Sequence, residues 1–231
     1  MLTLDKILIE QDDFSLSADF AIAETARVAL LGASGAGKST LLSTLAGFLA
    51  PSRGRVLWRD TNITDLAPGA RPLSILFQDQ NLFPHLSVAQ NLGLGISPKL
   101  RLARADHAKI AAALDRVGLS GLGDRRPATL SGGQQSRVAL ARCLLRAKPL
   151  LLLDEPFAAL GPALKSDMLA LVAEIATEQH ATVLMVSHEP ADAIALCPQT
   201  VLVAEGVAHA PAATAGLLAD PPPALAAYLG K

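Results

Sequence analysis

The spacing of hydrophobic residues divides the chain into strand-like and helix-like stretches. Residues 2–10 and 14–22 alternate partly between apolar and polar side chains, which predicts two strands joined by a turn at two aspartates. Three compact apolar runs, at 27–31, 150–153 and 181–186, predict further strands. The run at 150–153 is four leucines, which is typical of a strand covered on both faces of a parallel sheet.

Helical periodicity separates and follows these strands. Residues 38–48, 103–117 and 162–178 carry apolar side chains at helical spacing, and 54–59 and 73–77 are additional strand candidates. Strands that alternate with helices predict an α/β fold with a mostly parallel core. The helix-rich middle of the chain then predicts an inserted helical subdomain.

The composition argues against several classes of protein. The chain has 231 residues, a formal net charge of −1 and a pI of about 6.5, whereas dedicated nucleic-acid-binding proteins usually carry a basic excess. Cys143 and Cys197 are too few and too far apart for a disulfide scaffold, and they fit no zinc-site spacing. Glu205 and Pro211 interrupt the most apolar window, 200–219, so we expect no membrane-spanning helix there. We expect a protein without nucleic-acid partners that is soluble or held at a membrane by another subunit.

A glycine-rich loop at 32–40 carries the first chemical signal. Its sequence, GASGAGKST, matches G-x-x-x-x-G-K-[ST] and lies between a predicted strand and a predicted helix. The glycines let successive backbone N–H groups converge on phosphate oxygens, and the side chain of Lys38 extends to the β and γ phosphates. The hydroxyl of Ser39 is a ligand for Mg²⁺. The loop predicts a nucleoside triphosphate site formed by Gly32, Ala33, Ser34, Gly35, Ala36, Gly37, Lys38, Ser39 and Thr40.

An acidic pair ends the leucine-rich strand. The sequence LLLLDEP places Asp154 and Glu155 at the carboxyl edge of the predicted sheet, where ligands gather in open α/β folds. Asp154 is the predicted residue of the Mg²⁺ shell. Glu155 is the predicted general base, or orienting group, for a water that attacks the γ phosphate.

A second phosphate-binding surface is predicted at LSGGQ, residues 130–134. The hydroxyl of Ser131 and the amides of Gly132 and Gly133 open a predicted helix, where backbone N–H groups and the helix dipole favour anions. Gln134 completes the motif. Two phosphate-binding surfaces on separate parts of one chain predict that two copies face each other.

With these motifs, the whole chain resembles the ATP-binding subunits of ABC transporters. The resemblance implies a P-loop NTPase fold with a mostly parallel core sheet, an antiparallel β side sheet and an inserted α-helical subdomain. It assigns 1–78 and 149–231 to the core and side sheet, and about 79–148 to the subdomain, within one domain spanning 1–231. It also implies ATP and Mg²⁺ as ligands, and a dimer in which the LSGGQ motif of one copy contacts ATP held by the other.

The resemblance implies roles for two more residues. Gln78, in LFQDQNLF, corresponds to the glutamine that contacts Mg²⁺ and the attacking water while its loop faces the membrane subunit. His188, in MVSHEP, corresponds to the histidine that contacts the γ phosphate and the catalytic glutamate, here Glu155. The expected catalytic residues are therefore Glu155, His188 and Gln78, and the expected metal ligands are Ser39, Gln78 and Asp154.

Two positions depart from the family pattern. After the acidic pair the family has SALD, whereas residues 158–161 are AALG, so that Gly161 replaces an aspartate that helps join the paired active sites. The family also stacks adenine on an aromatic side chain about twenty residues before the phosphate loop, and Phe14 is the available substitute. We therefore expect weaker coupling between the sites and a less secure preference for adenine.

Within the family, the sequence is most like the ATPases of bacterial thiamine importers. The similar stretches are RPLSILFQDQNLFPHLSVAQNLGLG and MVSHEPADAIAL, together with the compact ending. This similarity implies transmembrane permease subunits as partners, a periplasmic substrate-binding protein as an indirect partner, and a peripheral position on the cytoplasmic face of the bacterial inner membrane.

Other functions stay open on the sequence alone. They are import of another small solute such as iron, a polyamine or an anion, and a soluble ABC ATPase that is not linked to transport. A third possibility is a partner domain that binds ATP without hydrolysing it, because Gly161 replaces an aspartate of the family pattern. A small-molecule P-loop kinase would share the phosphate loop but has no use for LSGGQ.

Overall fold

The computed structural model describes residues 1–79, 81–158 and 160–230. Gln80, Ala159 and Lys231 lie outside this description. Ala159 belongs to the AALG segment singled out above, and Gln80 to the segment that follows Gln78.

The strands of the described residues form one sheet of eleven strands. Their bounds are β1 Leu2–Gln11, β2 Phe14–Ile22, β3 Arg27–Leu31, β4 Arg53–Trp58, β5 Thr61–Asn62, β6 Leu73–Leu76, β7 Leu150–Asp154, β8 Thr182–Val186, β9 Gln199–Ala204, β10 Val207–Ala208 and β11 Ala212–Ala213. The order across the sheet is β5-β4-β1-β2-β10-β9-β3-β8-β7-β6, and β11 pairs with β9.

Half of this sheet is the parallel core that the apolar runs predict. β9, β3, β8, β7 and β6 run parallel, with Leu152 opposite Leu184 on one side and Ile75 on the other. Leu150 and Leu152 of β7 enter the apolar cluster on one face of the sheet, and Leu151 and Leu153 enter the cluster on the other face. The four leucines are therefore covered on both faces, as predicted.

The other half is the antiparallel side sheet implied by the family resemblance. β1 pairs with β2 and β4, and β4 pairs with β5, all antiparallel. The short strand β10 joins the two halves, since it pairs parallel with β2 and antiparallel with β9. The turn between β1 and β2 therefore reaches the edge of the parallel core, where Phe14 begins β2.

Helices connect the parallel strands and form the middle of the chain. Their bounds are α1 Lys38–Ala46, α2 Val88–Ile96, α3 Arg104–Arg116, α4 Gly132–Arg146, α5 Pro162–Glu178, α6 Pro190–Leu196, α7 Thr214–Ala219 and α8 Pro223–Leu229. The first of them ends two residues earlier than predicted, because Gly47 takes the left-handed conformation of a helix C-cap, with φ 87°. The helices α2, α3 and α4 all lie between β6 and β7 along the chain.

Within the described residues, no helix is long and apolar enough to cross a membrane. Cys143 and Cys197 are buried free thiols, as expected for small core residues. Burial raises the pKa of Cys143 to about 11 and that of Cys197 to about 12, so both thiols are protonated and inert at neutral pH.

Candidate functional site

The loop at 32–40 leads from the end of β3 into α1. Gly37 is the N-cap of α1 and has φ 102°, a left-handed conformation that favours glycine. A Cβ at this position would lie 2.5 Å from Cζ of Phe14, and a Cβ on Gly32 would lie 2.1 Å from the carbonyl oxygen of Val203. Only glycine fits at either position, because the loop lies directly against β2 and β9.

The side chain of Lys38 spans the inside of this loop. Its Nζ donates hydrogen bonds of 2.8 Å to the carbonyl oxygens of both Gly32 and Ala33, and the residue is 5% exposed. Burial lowers the pKa of Lys38, and the nearby carboxylates of Glu155 and Asp154 act in the opposite direction. The ammonium is thus held, largely desolvated, within the loop. A phosphate oxygen placed there meets a strong cationic donor.

Asp154 and Ser39 face each other at the mouth of the loop. Oγ of Ser39 donates a 2.9 Å hydrogen bond to Oδ1 of Asp154, which ends β7. Burial raises the pKa of Asp154, and the hydrogen bond from Ser39 partly offsets this effect. A hydroxyl and a carboxylate oxygen in contact are hard ligands of the kind that Mg²⁺ prefers. These two residues therefore fit the predicted metal shell.

Glu155 and His188 form a contact pair beside the loop. Oε1 of Glu155 contacts Nε2 of His188, and the two side chains are 16% and 42% exposed. The Glu155 backbone is left-handed, with φ 47°, and its N–H donates to the carbonyl oxygen of Val186 on β8. Such a conformation is costly for a residue other than glycine, and it is concentrated at functional sites. Here the left-handed residue lies in the turn that follows β7, from which the carboxylate contacts His188.

Lys38, Ser39, Glu155 and His188 line one cavity of about 240 Å³. Its lining among the described residues is Gln11, Phe14, Ser34, Gly35, Gly37, Lys38, Ser39, Thr40, Glu155 and His188. Of the remaining loop residues, Gly32 and Ala33 hold the ammonium of Lys38, and Ala36 packs against the apolar core. Phe14 therefore occupies a position from which its ring is accessible to a bound base, and Gln11 is a lining residue that the motifs did not indicate.

Gln78 does not join this lining in the part of the chain that the structure describes. It lies on an exposed turn two residues after β6, whose last residue, Leu76, pairs with Leu153. Its strand and that of Asp154 therefore end at the same edge of the sheet. Gln78 therefore follows the strand next to that of Asp154, but its side chain is exposed to solvent.

The LSGGQ motif lies at the start of α4, separate from the phosphate loop. Ser131 is exposed and forms a capping box with Gln134, in which each side chain accepts a hydrogen bond from the other residue's backbone N–H. Gly133 packs against Leu164 of α5, since a Cβ there would lie 2.4 Å from Cδ2 of that leucine. Nothing lies within 4 Å of the corresponding position on Gly132. Ser131 and Gly132, at the open start of the helix, are not among the described residues that line this chain's own cavity.

Tyr228 is a contact of the site that no sequence motif indicates. Its hydroxyl donates a hydrogen bond to the carbonyl oxygen of His188, which is 40 residues earlier. A single tyrosine in a short Ala- and Leu-rich helix has no recognisable pattern.

Gly161, the position that departs from the family pattern, is the N-cap of α5. It has the extended conformation typical of an N-cap, makes no side-chain cap, and has open space where a Cβ would lie.

We expect Gly161→Asp to raise the thermal midpoint of the isolated chain by about 1–2 °C. The carboxylate would accept free helix N–H groups and complement the helix dipole, which stabilises by a few tenths of a kcal/mol or somewhat more.

Differential scanning calorimetry without nucleotide measures this shift, and Gly161→Ala is the matched control because it adds a Cβ without an acceptor. An aspartate variant that melts no higher than the alanine variant would rule out capping. In the assembled transporter we expect the same Gly161→Asp variant to raise the hydrolysis rate or its cooperativity in ATP. If the hydrolysis rate and its cooperativity are both unchanged in this variant, Gly161 has a structural role in the turn before α5 and none in coupling the two sites.

The family model for ABC transporters matches residues 16–158. A protein of Cereibacter sphaeroides named "Thiamine import ATP-binding protein ThiQ" is 64% identical over 230 residues, which is 100% of both chains. Proteins of the same name from Ruegeria sp. and Yersinia pestis are 54% and 50% identical, over 100% and 89% of this chain and 100% and 87% of theirs.

Among solved structures, the ATP-binding cassette MJ0796, in a dimeric post-hydrolysis state bound to ADP and Pi, superposes with a TM-score of 0.81. It is 26% identical, and the match covers 93% of this chain and 99% of that one. The fold expected from the resemblance is confirmed. The chain belongs to the ABC transporter family, among its ATP-binding proteins.

Proposed function

We propose that this chain is the ATP-hydrolysing subunit of a bacterial ABC importer for thiamine. One observation carries the proposal: most of the phosphate loop, Glu155 and His188 line one cavity, with Asp154 bonded to Ser39 of that lining, in a chain 64% identical, end to end, to a thiamine import ATP-binding protein. The cavity supports ATP binding and hydrolysis, and the similarity supports the substrate.

The residues divide the work of phosphoryl transfer. Lys38 and the loop amides hold the β and γ phosphates, and Ser39 and Asp154 hold Mg²⁺. When bound, Mg²⁺ neutralises charge on the phosphates. Glu155 accepts the proton of the attacking water, or orients that water, as it forms a bond to the γ phosphorus and the bond to the bridging oxygen breaks.

His188 and Gln78 complete the proposed catalytic set. His188 contacts Glu155 in the structure, and it would contact the γ phosphate from the same position. Gln78 is exposed on its turn, so its contact with Mg²⁺ and water requires this turn to move toward the cavity. That movement is a route by which a partner bound near the turn would control hydrolysis.

Hydrolysis is proposed to occur in a dimer of two copies. The exposed start of α4, at Ser131 and Gly132, supplies backbone amides at the positive end of a 15-residue helix. Because this surface is not part of the lining of its own chain's phosphate cavity, a second copy would bring it to ATP. The dimeric state of the related cassette MJ0796 supports this arrangement.

The permease is proposed to bind at a groove of about 340 Å³ between the α1–β6 side of the sheet and the helices α2 and α4. Phe48 and Phe83 are exposed there at 57% and 47%, and the rings of Phe48 and Phe77 lie 5.7 Å apart. Arg146 adds a cation to the rim. The turn with Gln78 follows Phe77 directly, so a bound permease segment would contact this turn.

Membership of the ABC transporter family also supports a division of the chain into a nucleotide-binding core and a helical subdomain. Residues 1–78 and 149–231 would form the nucleotide-binding core with its side sheet, and about 79–148 the helical subdomain that carries LSGGQ. The chain would lie on the cytoplasmic face of the inner membrane, held by permease subunits. A periplasmic binding protein would act on it only through them.

Uptake of labelled thiamine by cells that carry a tagged copy of this chain tests the proposal. We expect uptake in the wild type, loss of uptake in Glu155→Gln, and co-purification of a polytopic membrane protein with both. Labelled iron and spermidine serve as control solutes. Loss of uptake of a control solute instead of thiamine would reassign the substrate, and absence of any membrane protein would contradict the transporter role.

A further inference from the structure

The loop that carries His188 is held from three sides. Oγ of Ser187 donates a 2.7 Å hydrogen bond to Asp192 at the start of α6. Nζ of Lys165, a buried lysine of α5, lies 2.5 Å from Oε1 of Glu189. These two contacts restrain the residues on either side of His188. The hydroxyl of Ser187 also accepts a 3.0 Å hydrogen bond from the N–H of Glu189, which belongs to the same peptide unit as the carbonyl of His188.

The carbonyl oxygen of His188 is held by α8. Within the described parts of the chain, the group that donates a hydrogen bond to this oxygen is the hydroxyl of Tyr228. Leu225, one turn earlier in α8, is fully buried and anchors the helix against the core. The hydrogen bond therefore joins a fixed helix to the residue whose imidazole contacts Glu155.

The environment of Tyr228 keeps its hydroxyl a donor. Burial raises the pKa of Tyr228, and the carboxylates of Glu155 and Glu189 raise it further, because both disfavour a phenolate. The phenol is therefore protonated at neutral pH and donates to the carbonyl. Tyr228 is not among the described residues that line the phosphate cavity.

We propose that Tyr228 is a positioning residue for His188, a role that rests on the proposed catalytic function of Glu155 and His188. A hydrogen bond to the backbone fixes the peptide plane from which the imidazole projects, and so fixes the direction of its contact with Glu155. Without the hydroxyl the loop samples more orientations, and the productive contact is populated less. Tyr228 is not in the lining of the phosphate cavity, so its hydroxyl makes no direct contact with ATP, and the expected loss is in turnover rather than in ATP binding.

The test is Tyr228→Phe in the full chain, which keeps the ring and removes only the hydroxyl. We expect kcat for ATP hydrolysis to fall about fivefold, the equivalent of one hydrogen bond, with KM for ATP and the thermal midpoint unchanged. The matched control is Thr177→Val, which removes a hydroxyl that donates to the carbonyl oxygen of Ala173 on the exposed side of α5. This control should hydrolyse ATP at the wild-type rate.

Histidine-selective NMR distinguishes a local change at His188 from a general loss of structure, because the latter would shift the signals of all the histidines. The chain has five histidines, and the His188 signals are those missing from His188→Ala. In Tyr228→Phe we expect the His188 signals to shift while the other four stay in place. Unmoved His188 signals, an unchanged kcat, or a loss confined to KM would each overturn the positioning role.

The same variants separate this inference from the proposed function. A wild-type rate in His188→Ala would remove His188 from catalysis, and with it the proposed mechanism. A slow His188→Ala together with a Tyr228→Phe variant that matches the wild type in rate and spectrum would leave the mechanism intact and reject only the role of Tyr228.

Discussion

Replacing Glu155 by glutamine is expected to lower steady-state ATP hydrolysis by at least about a hundredfold while ATP still binds. The amide has the shape of the carboxylate, but it cannot accept the proton of the attacking water. Gln also tolerates the left-handed backbone at this position about as well as Glu does, so the turn after β7 is retained. The contacts of Lys38, Ser39 and Asp154 do not involve the Glu155 side-chain carboxylate directly and remain available to the phosphates.

Phosphate release and calorimetric ATP titration, measured on the same preparation, separate the two effects. Glu174→Gln is the matched control, because its carboxylate pairs with Arg116 on the surface, away from the cavity. The slowed variant should also accumulate as an ATP-dependent dimer in light scattering, since ATP bound between two copies is no longer consumed. Near-normal phosphate release would remove Glu155 from its catalytic role, and an unchanged size with ATP would count against the two-copy arrangement.

Much of the fold was predictable because the parallel core depends on local apolar runs. A strand such as β7 must present apolar side chains to both faces, and few sequences other than consecutive leucines or branched residues can do so. The phosphate loop was predictable for a related reason. Its glycines are needed where the loop lies against β2 and β9, so spacing and context indicate the structure together.

The connection between the two halves of the sheet was not predictable. It depends on β10, Val207–Ala208, which pairs with β2 and β9. A two-residue strand has no periodicity, and its pairing with residues nearly two hundred positions earlier is decided by tertiary packing. The contact of Tyr228 with His188 was not predictable for the same reason, because tertiary packing, in which Leu225 of α8 is fully buried, brings the helix to the site.

In the site, too, some residues were predictable from motifs and others were not. Motifs indicated Lys38, Asp154, Glu155 and His188, all of which the fold brings together at the ends of β3, β7 and β8. Motifs alone could not place Gln78, because the direction of an exposed turn is not determined by apolar spacing. Its exposed position makes the role proposed for it depend on a movement of this turn, and so on the partner proposed to cause that movement.

Replacing Lys38 by alanine is expected to weaken ATP binding by about 10- to 100-fold, the range associated with losing hydrogen bonds to a charged group. The ammonium is already held inside the loop by Gly32 and Ala33, so it binds phosphate with little further loss of side-chain entropy. Its removal leaves the loop facing the phosphates with no other lysine or arginine in the described cavity lining. The carboxylates of Asp154 and Glu155 would then repel the nucleotide without compensation.

Calorimetric titration with ATP and Mg²⁺ measures the change in Kd, and a thermal melt without nucleotide confirms that the variant is folded. Lys109→Ala is the matched control, because its ammonium pairs with Asp106 on the exposed face of α3 and contacts no part of the cavity. An affinity equal to that of the wild type would show that the loop does not hold the triphosphate through Lys38. Loss of affinity in both variants would indicate a nonspecific charge effect instead. A titration at higher salt would reveal such an effect, because salt screens exposed charges much more than a buried contact.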